Sequence, residues 1–316
     1  MKEFKNRDAY ESGCNGLKEG WAYIKATGQG IHASVASKKD GPFICKACLS
    51  DAIHHHCSEK IDHFAHHARL TPIIGAHESE IHKLCKETIY EELKNKFSEY
   101  KWVCDDVRIP ERKEEGIPAL QPDIGGQING QRVAIEIQTS AMTISKILKR
   151  CLGYSKRGIS ILWVIPLIEP IGDEIFRPRL FERYLHSIYY GRVYYWLPEY
   201  GCNVLPVHYS TAVREIPYHE WFEDGEEREG GGYDKPYKHI RKPAPLRPIS
   251  IAENFYHRAR QEHRPWNERK TVPAMRILMD KEPIWWKKKE QSILDRYYPY
   301  NDTYNATLDV ASFRFR

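Results

Sequence analysis

Residues 121–140 read QPDIGGQINGQRVAIEIQTS. Asn129-Gly130 sits between two runs of alternating character, and Asn-Gly is the strongest short signal for a two-residue β-hairpin turn, because both central positions need positive φ. With that pair at the tip, Ile128 faces Gln131. Counting back along both strands pairs Gln127 with Arg132, Gly125 with Ala134 and Asp123 with Glu136. Residues directly opposite have Cβ atoms about 5 Å apart. Along the second strand, Val133, Ile135 and Ile137 share one face, which packs; Ala134, Glu136 and Gln138 share the other, which presents acid and amide.

Two carboxylates at that separation repel, and burial makes the repulsion worse. A proton, a base or a hard divalent cation must offset them. Oxygen donors of this kind suit Mg²⁺ or Mn²⁺. The competing reading is an acidic hairpin served by a base such as Arg132 or Arg108, and a bulge at Gly125-Gly126 would shift the register.

Outward from the hairpin, AHESEIHKLCKETIY predicts a helix from near Glu78 to about Phe97. Glu78, His82 and Lys86 recur every four residues beside an apolar stripe of Ile81, Leu84, Cys85 and Ile89. Glu80, Lys83 and Glu87 fall on the opposite, solvated face. Glu78 is therefore the inward acid. Short strands are expected over 101–109, 124–128 and 132–139. A helix is expected over 140–154, then a fully buried strand at ISILWVIP, and a helix with a hairpin between Leu180 and Pro206.

Upstream, FICKACLSDAIHHHCSEKIDHFAHH is dense in soft and borderline metal donors. Cys45-x2-Cys48 followed by His63-x2-His66 offers two thiolates and two imidazoles for a tetrahedral, structural Zn²⁺. Cys57, His67 and the His54–His56 run remain alternative ligands. A loop-rich region with little apolar content gains folding free energy from such a staple.

The chain has 316 residues and a net charge of +5, but the charge is uneven. Residues 235–316 hold 18 Lys/Arg against 9 Asp/Glu, whereas the rest hold 30 against 34. A basic segment interleaved with Tyr256, Trp266, Trp285 and Trp286 suits a polyanion, most often nucleic acid. No apolar run approaches the ~20 residues a membrane span needs. The start MKEFKNRDAYESG has no apolar signal core, so a cytoplasmic location without membrane partners is expected. In that reducing compartment the eight cysteines read as thiols or metal ligands. Residues 223–234 (EDGEEREGGGYD) read as a turn or linker, and the Pro-rich stretch beyond as irregular. The expected division is 1–72 for N-terminal strands and the zinc region, 73–222 for the core, and 223–316 for a linker and basic extension.

The order helix glutamate, Pro-Asp, then Glu-x-Gln at a strand end resembles the PD-(D/E)xK nuclease superfamily. CKAC with HFAH, ESEIHKLCK, QPDIGG, AIEIQTS and the downstream Arg150…Tyr154 before ILWVIP resemble more closely the competence protein CoiA-like family, over roughly residues 31–170. The resemblance implies an α/β, restriction-endonuclease-like core: a mixed β-sheet flanked by helices, preceded by a zinc-binding region. It also implies DNA as partner and a metal-dependent deoxyribonuclease acting in transformation, recombination or defence, with Asp123, Glu136 and Glu78 as the acids. Where the superfamily has lysine, this chain has Gln138, which can orient a water but brings no positive charge. Lys86 is a candidate substitute, and His82 with Lys86 would contact the scissile phosphate. The missing lysine also motivates an alternative, a non-catalytic nucleic-acid-binding accessory protein that keeps the nuclease fold.

Overall fold

The computed structural model describes residues 16–17, 19–56, 61–67, 80–105, 108–223, 225–264 and 271–286. The chain forms two compact units. The first comprises residues 1–71, 175–177 and 211–241; the second comprises 72–174, 178–210 and 242–316.

In the first unit, β1 (Trp21–Ile24), β2 (Gly30–His32), β3 (Phe43–Ile44), β4 (Asp51–His55) and β5 (His63–His66) form one antiparallel sheet in the order β2-β1-β3-β4-β5. Its core is slight: Leu17, Ala22, Ala33, Phe43, Cys45, Ala52 and Phe64. Three alanines fill positions where larger domains place Leu or Ile, so little apolar area is withdrawn from water.

The second unit opens with α1 (Glu80–Lys96), then β6 (Val103–Cys104), β7 (Ile124–Ile128), β8 (Gln131–Ile137), α2 (Ile144–Ser155), β9 (Ser160–Pro166), α3 (Leu180–Ile188) and β10 (Val193–Trp196). The long strand β11 (Asn203–Ile216) follows. The hairpin β12 (His219–Glu223) and β13 (Glu226–Gly230) belongs to the first unit, as do residues 211–216 of β11 and residues 233–241 of β14 (Tyr233–Pro245); β15 (Ile249–Ser250), α4 (Ile251–Asn254), β16 (Phe255–Arg260) and β17 (Met275–Asp280) complete the order. The main sheet runs β14-β11-β10-β9-β8-β7-β6. It is mixed: β6, β7 and β8 are antiparallel, β8, β9 and β10 are parallel, and β10 and β11 are antiparallel. Two helices, α2 and α3, make the crossovers that parallel neighbours require. Every residue of β9 is buried, as expected of a strand covered on both faces. The mixed α/β class expected from the sequence is the class observed.

The Asn-Gly turn forms as expected, with φ of 49° at Asn129 and 75° at Gly130. The register is the one counted from the tip: Ile128 with Gln131, Gln127 with Arg132, Gly125 with Ala134. No bulge interrupts it. Gly126 answers to packing: a Cβ there would come within 2.3 Å of the Trp102 ring.

Two sequence expectations change. Leu84 is 46% exposed, while α1 buries Cys85, Lys86, Ile89 and Leu93. The inward face of that helix is rotated toward Lys86, so a basic residue takes a place expected for leucine. The stretch read as irregular after residue 234 instead supplies β14 to β17. Pro236, Pro243 and Pro245 all lie in β14, which is the edge of the sheet, the place where strands tolerate proline. Lys287, Lys288 and Lys289 and the remainder of the chain, like Trp266, lie outside the described residues. Among the described residues, no helix is long and apolar enough to cross a membrane.

Candidate functional site

The hairpin delivers both of its acids to one place, and neither lies in open water. Asp123 immediately precedes β7, and its Oδ2 accepts the Ile137 N–H at 2.7 Å. That bond ties the end of β8 to the acid that the register sets opposite Glu136. Glu136 is 3% exposed. Both faces of β8 are thus covered, whereas the sequence suggested that the Glu136 face would stand open. The cover is α2: Arg150 Nη2 donates to both Glu136 oxygens at 2.5 Å, and the Tyr154 hydroxyl donates to Oε1 at 2.6 Å. Arg150 and Tyr154 are one helical turn apart and so reach the same carboxylate.

Glu136 therefore has a base beside it, as the competing reading of the hairpin expected. The base is Arg150, not Arg132 or Arg108. Arg132 donates to the Arg157 carbonyl instead. The Arg150 pairing is incomplete, because a single nitrogen serves both oxygens and also the Gln121 carbonyl at 2.8 Å. Its Nε is buried and has no hydrogen-bond partner among the described residues. A fork-to-fork pair would have spent Nε as well.

Electrostatics follow from burial. Desolvation pushes the Glu136 carboxyl up to about 7, assisted by the charge of Asp123 and opposed by Arg150 and Tyr154. Burial raises Asp123 too, while the Ile137 N–H, His82 and Arg150 pull it back. The Tyr154 phenol is held well above its ordinary range by burial and the neighbouring Glu136, so it stays a donor.

The other expected residues divide. His82 reaches the site: Nε2 donates to the Ile137 carbonyl at 3.1 Å and lies 3.9 Å from Asp123 Oδ2. Lys86 is buried and forms an ion pair with Asp105, whose backbone N–H donates to the Asp123 carbonyl at 3.1 Å. Its ammonium is thus engaged next to the acids rather than presented to a phosphate. Gln138 is 8% exposed, and its amide nitrogen donates to the Ser140 carbonyl at 2.7 Å. The amide is held by the loop that leads into α2. Glu78 lies outside the described residues. Asp105 and the paired action of Arg150 and Tyr154 escaped the sequence reading. The four-residue spacing of Arg150 and Tyr154 just after an acidic strand was the available signal.

The residues fit a hard divalent cation in their chemistry: two raised carboxylates lie beside the Ile137 carbonyl, and a guanidinium already stands where positive charge is needed. A cation there requires Arg150 to release at least one Glu136 oxygen.

In the first unit, Cys45, Cys48 and His66 bring two sulfurs and an imidazole nitrogen within 4.8 Å of one another. This set could hold a metal such as zinc. Cys48 Sγ lies 3.3 Å from His66 Nε2, and the Ala47 N–H donates to Cys45 Sγ at 3.4 Å. Burial lowers the His66 pKa, favouring the neutral imidazole a metal requires.

His63 is not in the cluster. In a strand, residues three apart point to opposite faces, so β5 sends His66 to the cysteines and stacks His63 on His55 at 5.1 Å. His54 bonds the Ala33 carbonyl and His56 pairs with Asp62. His67 is not in the cluster either, and Cys57 lies outside the described residues.

No curated protein and no solved structure matches the chain. The family model of the competence protein CoiA nuclease-like domain matches residues 78–201. That span holds α1, the acidic hairpin, Arg150 with Tyr154 and the buried strand β9. Residues 78–201 of the second unit are therefore similar to the nuclease-like domain of the competence protein CoiA family.

Proposed function

We propose that the chain is a metal-dependent deoxyribonuclease that hydrolyses DNA phosphodiester bonds, with Asp123 and Glu136 holding Mg²⁺ or Mn²⁺. One observation supports this above the rest: a buried glutamate is maintained beside a half-buried second acid, with a guanidinium and a phenol bonded to it. A purely structural position would be filled more stably by an apolar side chain. When bound, the ion would acidify a water and offset charge on the transition state.

The chain's own groups divide the remaining work. The Ile137 N–H fixes Asp123, and Tyr154 fixes one oxygen of Glu136. Arg150, with Nε unspent, passes from Glu136 to a phosphate oxygen as the substrate enters, which frees the carboxylate and supplies the positive charge Gln138 lacks. Gln138 donates to Ser140 and turns its carbonyl oxygen to a water proton. Glu78 is the third acid of this proposal. The Lys86–Asp105 pair acts by positioning the backbone at Asp123.

The test is cleavage of linear and plasmid DNA in Mg²⁺ by wild type, Asp123→Ala and Glu136→Ala. Cleavage should fall at least a thousandfold in both variants; wild-type rates in either would overturn the assignment.

The Arg150–Glu136 pair itself favours a second reading, a nucleic-acid-binding accessory protein of competence or recombination in which the guanidinium has permanently replaced the metal. Zinc-loaded protein that binds DNA but shows no Mg²⁺-stimulated cleavage of single-stranded, duplex or branched substrates would establish that reading instead. Competition between DNA and RNA at a stated salt concentration identifies the partner.

A further inference from the structure

The second unit contains an open cleft of about 520 Å³ whose walls are α2 and the loop 111–118. Lys149, Leu152, Gly153 and Lys156 line the helix side. Their spacing of three, four and seven residues makes one stripe of α2. Arg150 and Tyr154, one residue further on in each case, form the neighbouring stripe that reaches Glu136. A single helix thus carries the acidic centre on one flank and the cleft on the next.

The facing wall is a small hairpin closed by the bridges Ile109–Leu120 and Arg112–Ile117. Arg157 anchors it. This arginine is 5% exposed and donates to the carbonyls of Pro110 at 2.6 Å, Pro118 at 3.0 Å and Gly153 at 3.0 Å. All its acceptors are neutral. Among the described residues no carboxylate forms an ion pair with it, so a buried guanidinium sits under the cleft, offset by the charge of Glu115 and by the α2 C-terminal dipole.

The rim adds three exposed ammonium groups. Lys149 forms no ion pair among the described residues, Lys156 bonds only the Glu115 carbonyl at 3.4 Å, and Lys113 pairs with Glu111 at 3.5 Å. Glu111 is the one acid in the lining. The floor is apolar, with Ile117 2% exposed and Leu152 beside it. Cationic rim over apolar floor matches the chemistry of a nucleic-acid strand: phosphates for the lysines, sugar faces for the floor.

We propose that this cleft is a phosphodiester-backbone subsite, gripping the DNA strand that flanks the acidic centre through Lys113, Lys149 and Lys156. The identity of the polyanion rests on the nuclease reading above; the site itself rests on the cleft.

Full-length Asp123→Ala protein provides a background that leaves the probe intact without chelators. Binding of a fluorescent single-stranded oligonucleotide is measured by anisotropy from 0.05 to 0.2 M salt, with and without Lys113→Gln, Lys149→Gln and Lys156→Gln combined. Each lost phosphate contact lowers the log–log salt slope by about 0.7, so the triple variant should lose about 2 from the slope. Over that salt range the parent's affinity should then fall roughly 16-fold more than the variant's.

Glu111→Gln alone should tighten binding. The three lysines are exposed, so thermal midpoints should match and a folding defect would be visible separately. An unchanged slope and affinity in the triple variant would overturn the subsite while leaving the nuclease reading intact. Loss of slope together with absent cleavage by wild-type protein would overturn the nuclease reading and leave the subsite standing.

Discussion

The two candidate centres are built on opposite relations to their cores. Around Cys45, Cys48 and His66 the interior is three alanines, two phenylalanines and a leucine. Around Glu136 it includes Trp163, Trp196, Tyr154, Tyr184, Tyr189, Tyr194 and Tyr195, all fully buried. Where apolar material is scarce, a metal held by such donors would add to the folding energy. Where apolar material is plentiful, it can carry an expensive pairing of one buried and one half-buried acid. A metal would be structural in the first place and functional in the second.

The largest effect that could break this contrast is metal removal. A structural zinc contributes on the order of 10 kcal/mol to small metal-stapled domains. Chelation, or Cys45→Ser, should abolish hydrogen-exchange protection over 21–66 while strands 131–137 and 160–166 keep theirs. Equal protection in both units after chelation would show that the first unit does not depend on its donors.

Next comes Arg150→Leu, which strands a buried carboxylate. The expected loss is about 3 kcal/mol, read as a lower urea midpoint for the second unit alone. The third test sharpens the point through pH. The folded-state pKa of Glu136 is raised to about 7, so its contribution is fully present below the ordinary carboxylate range and is lost as pH rises through about 7. Stability should decline by about 3 kcal/mol between the ordinary carboxylate range and about 7, and Glu136→Gln should flatten the decline. Arg150→Leu should move the transition to higher pH. Cleavage, which needs the ionised form, should rise over the same interval.

The smallest effect belongs to the hairpin's fit. Gly126→Ala drives a Cβ into the rigid Trp102 ring and should cost about 1–2 kcal/mol in thermal unfolding, with the zinc content unchanged.

What the sequence made legible was local. The Asn129-Gly130 turn fixes its own register as far as Ile124 with Ile135, which brings Asp123 and Glu136 next along their strands without reference to the rest of the molecule. The helix with a hairpin between Leu180 and Pro206, found as α3, β10 and β11, and the buried strand at ISILWVIP were readable for the same reason. Arg150 as counter-base was not readable, because pairing it with Glu136 depends on how α2 lies on β8. His63 was misjudged by treating a three-residue spacing as if it guaranteed a shared side, which a strand reverses. The β16–β17 hairpin was invisible to composition, since a strand such as FYHRAR shows its partner only when the partner is known.

That hairpin has a practical consequence. Ile277 pairs with Ile161 on β9, so the innermost strand of the nuclease-like domain has one of its neighbours supplied from far downstream. An expression fragment cut at residue 201, where the family match stops, would leave that apolar strand bare beside Ile161, where β10 does not reach, and able to recruit another chain. Inclusion bodies from such a fragment would report on the missing hairpin and say nothing about what the intact chain does.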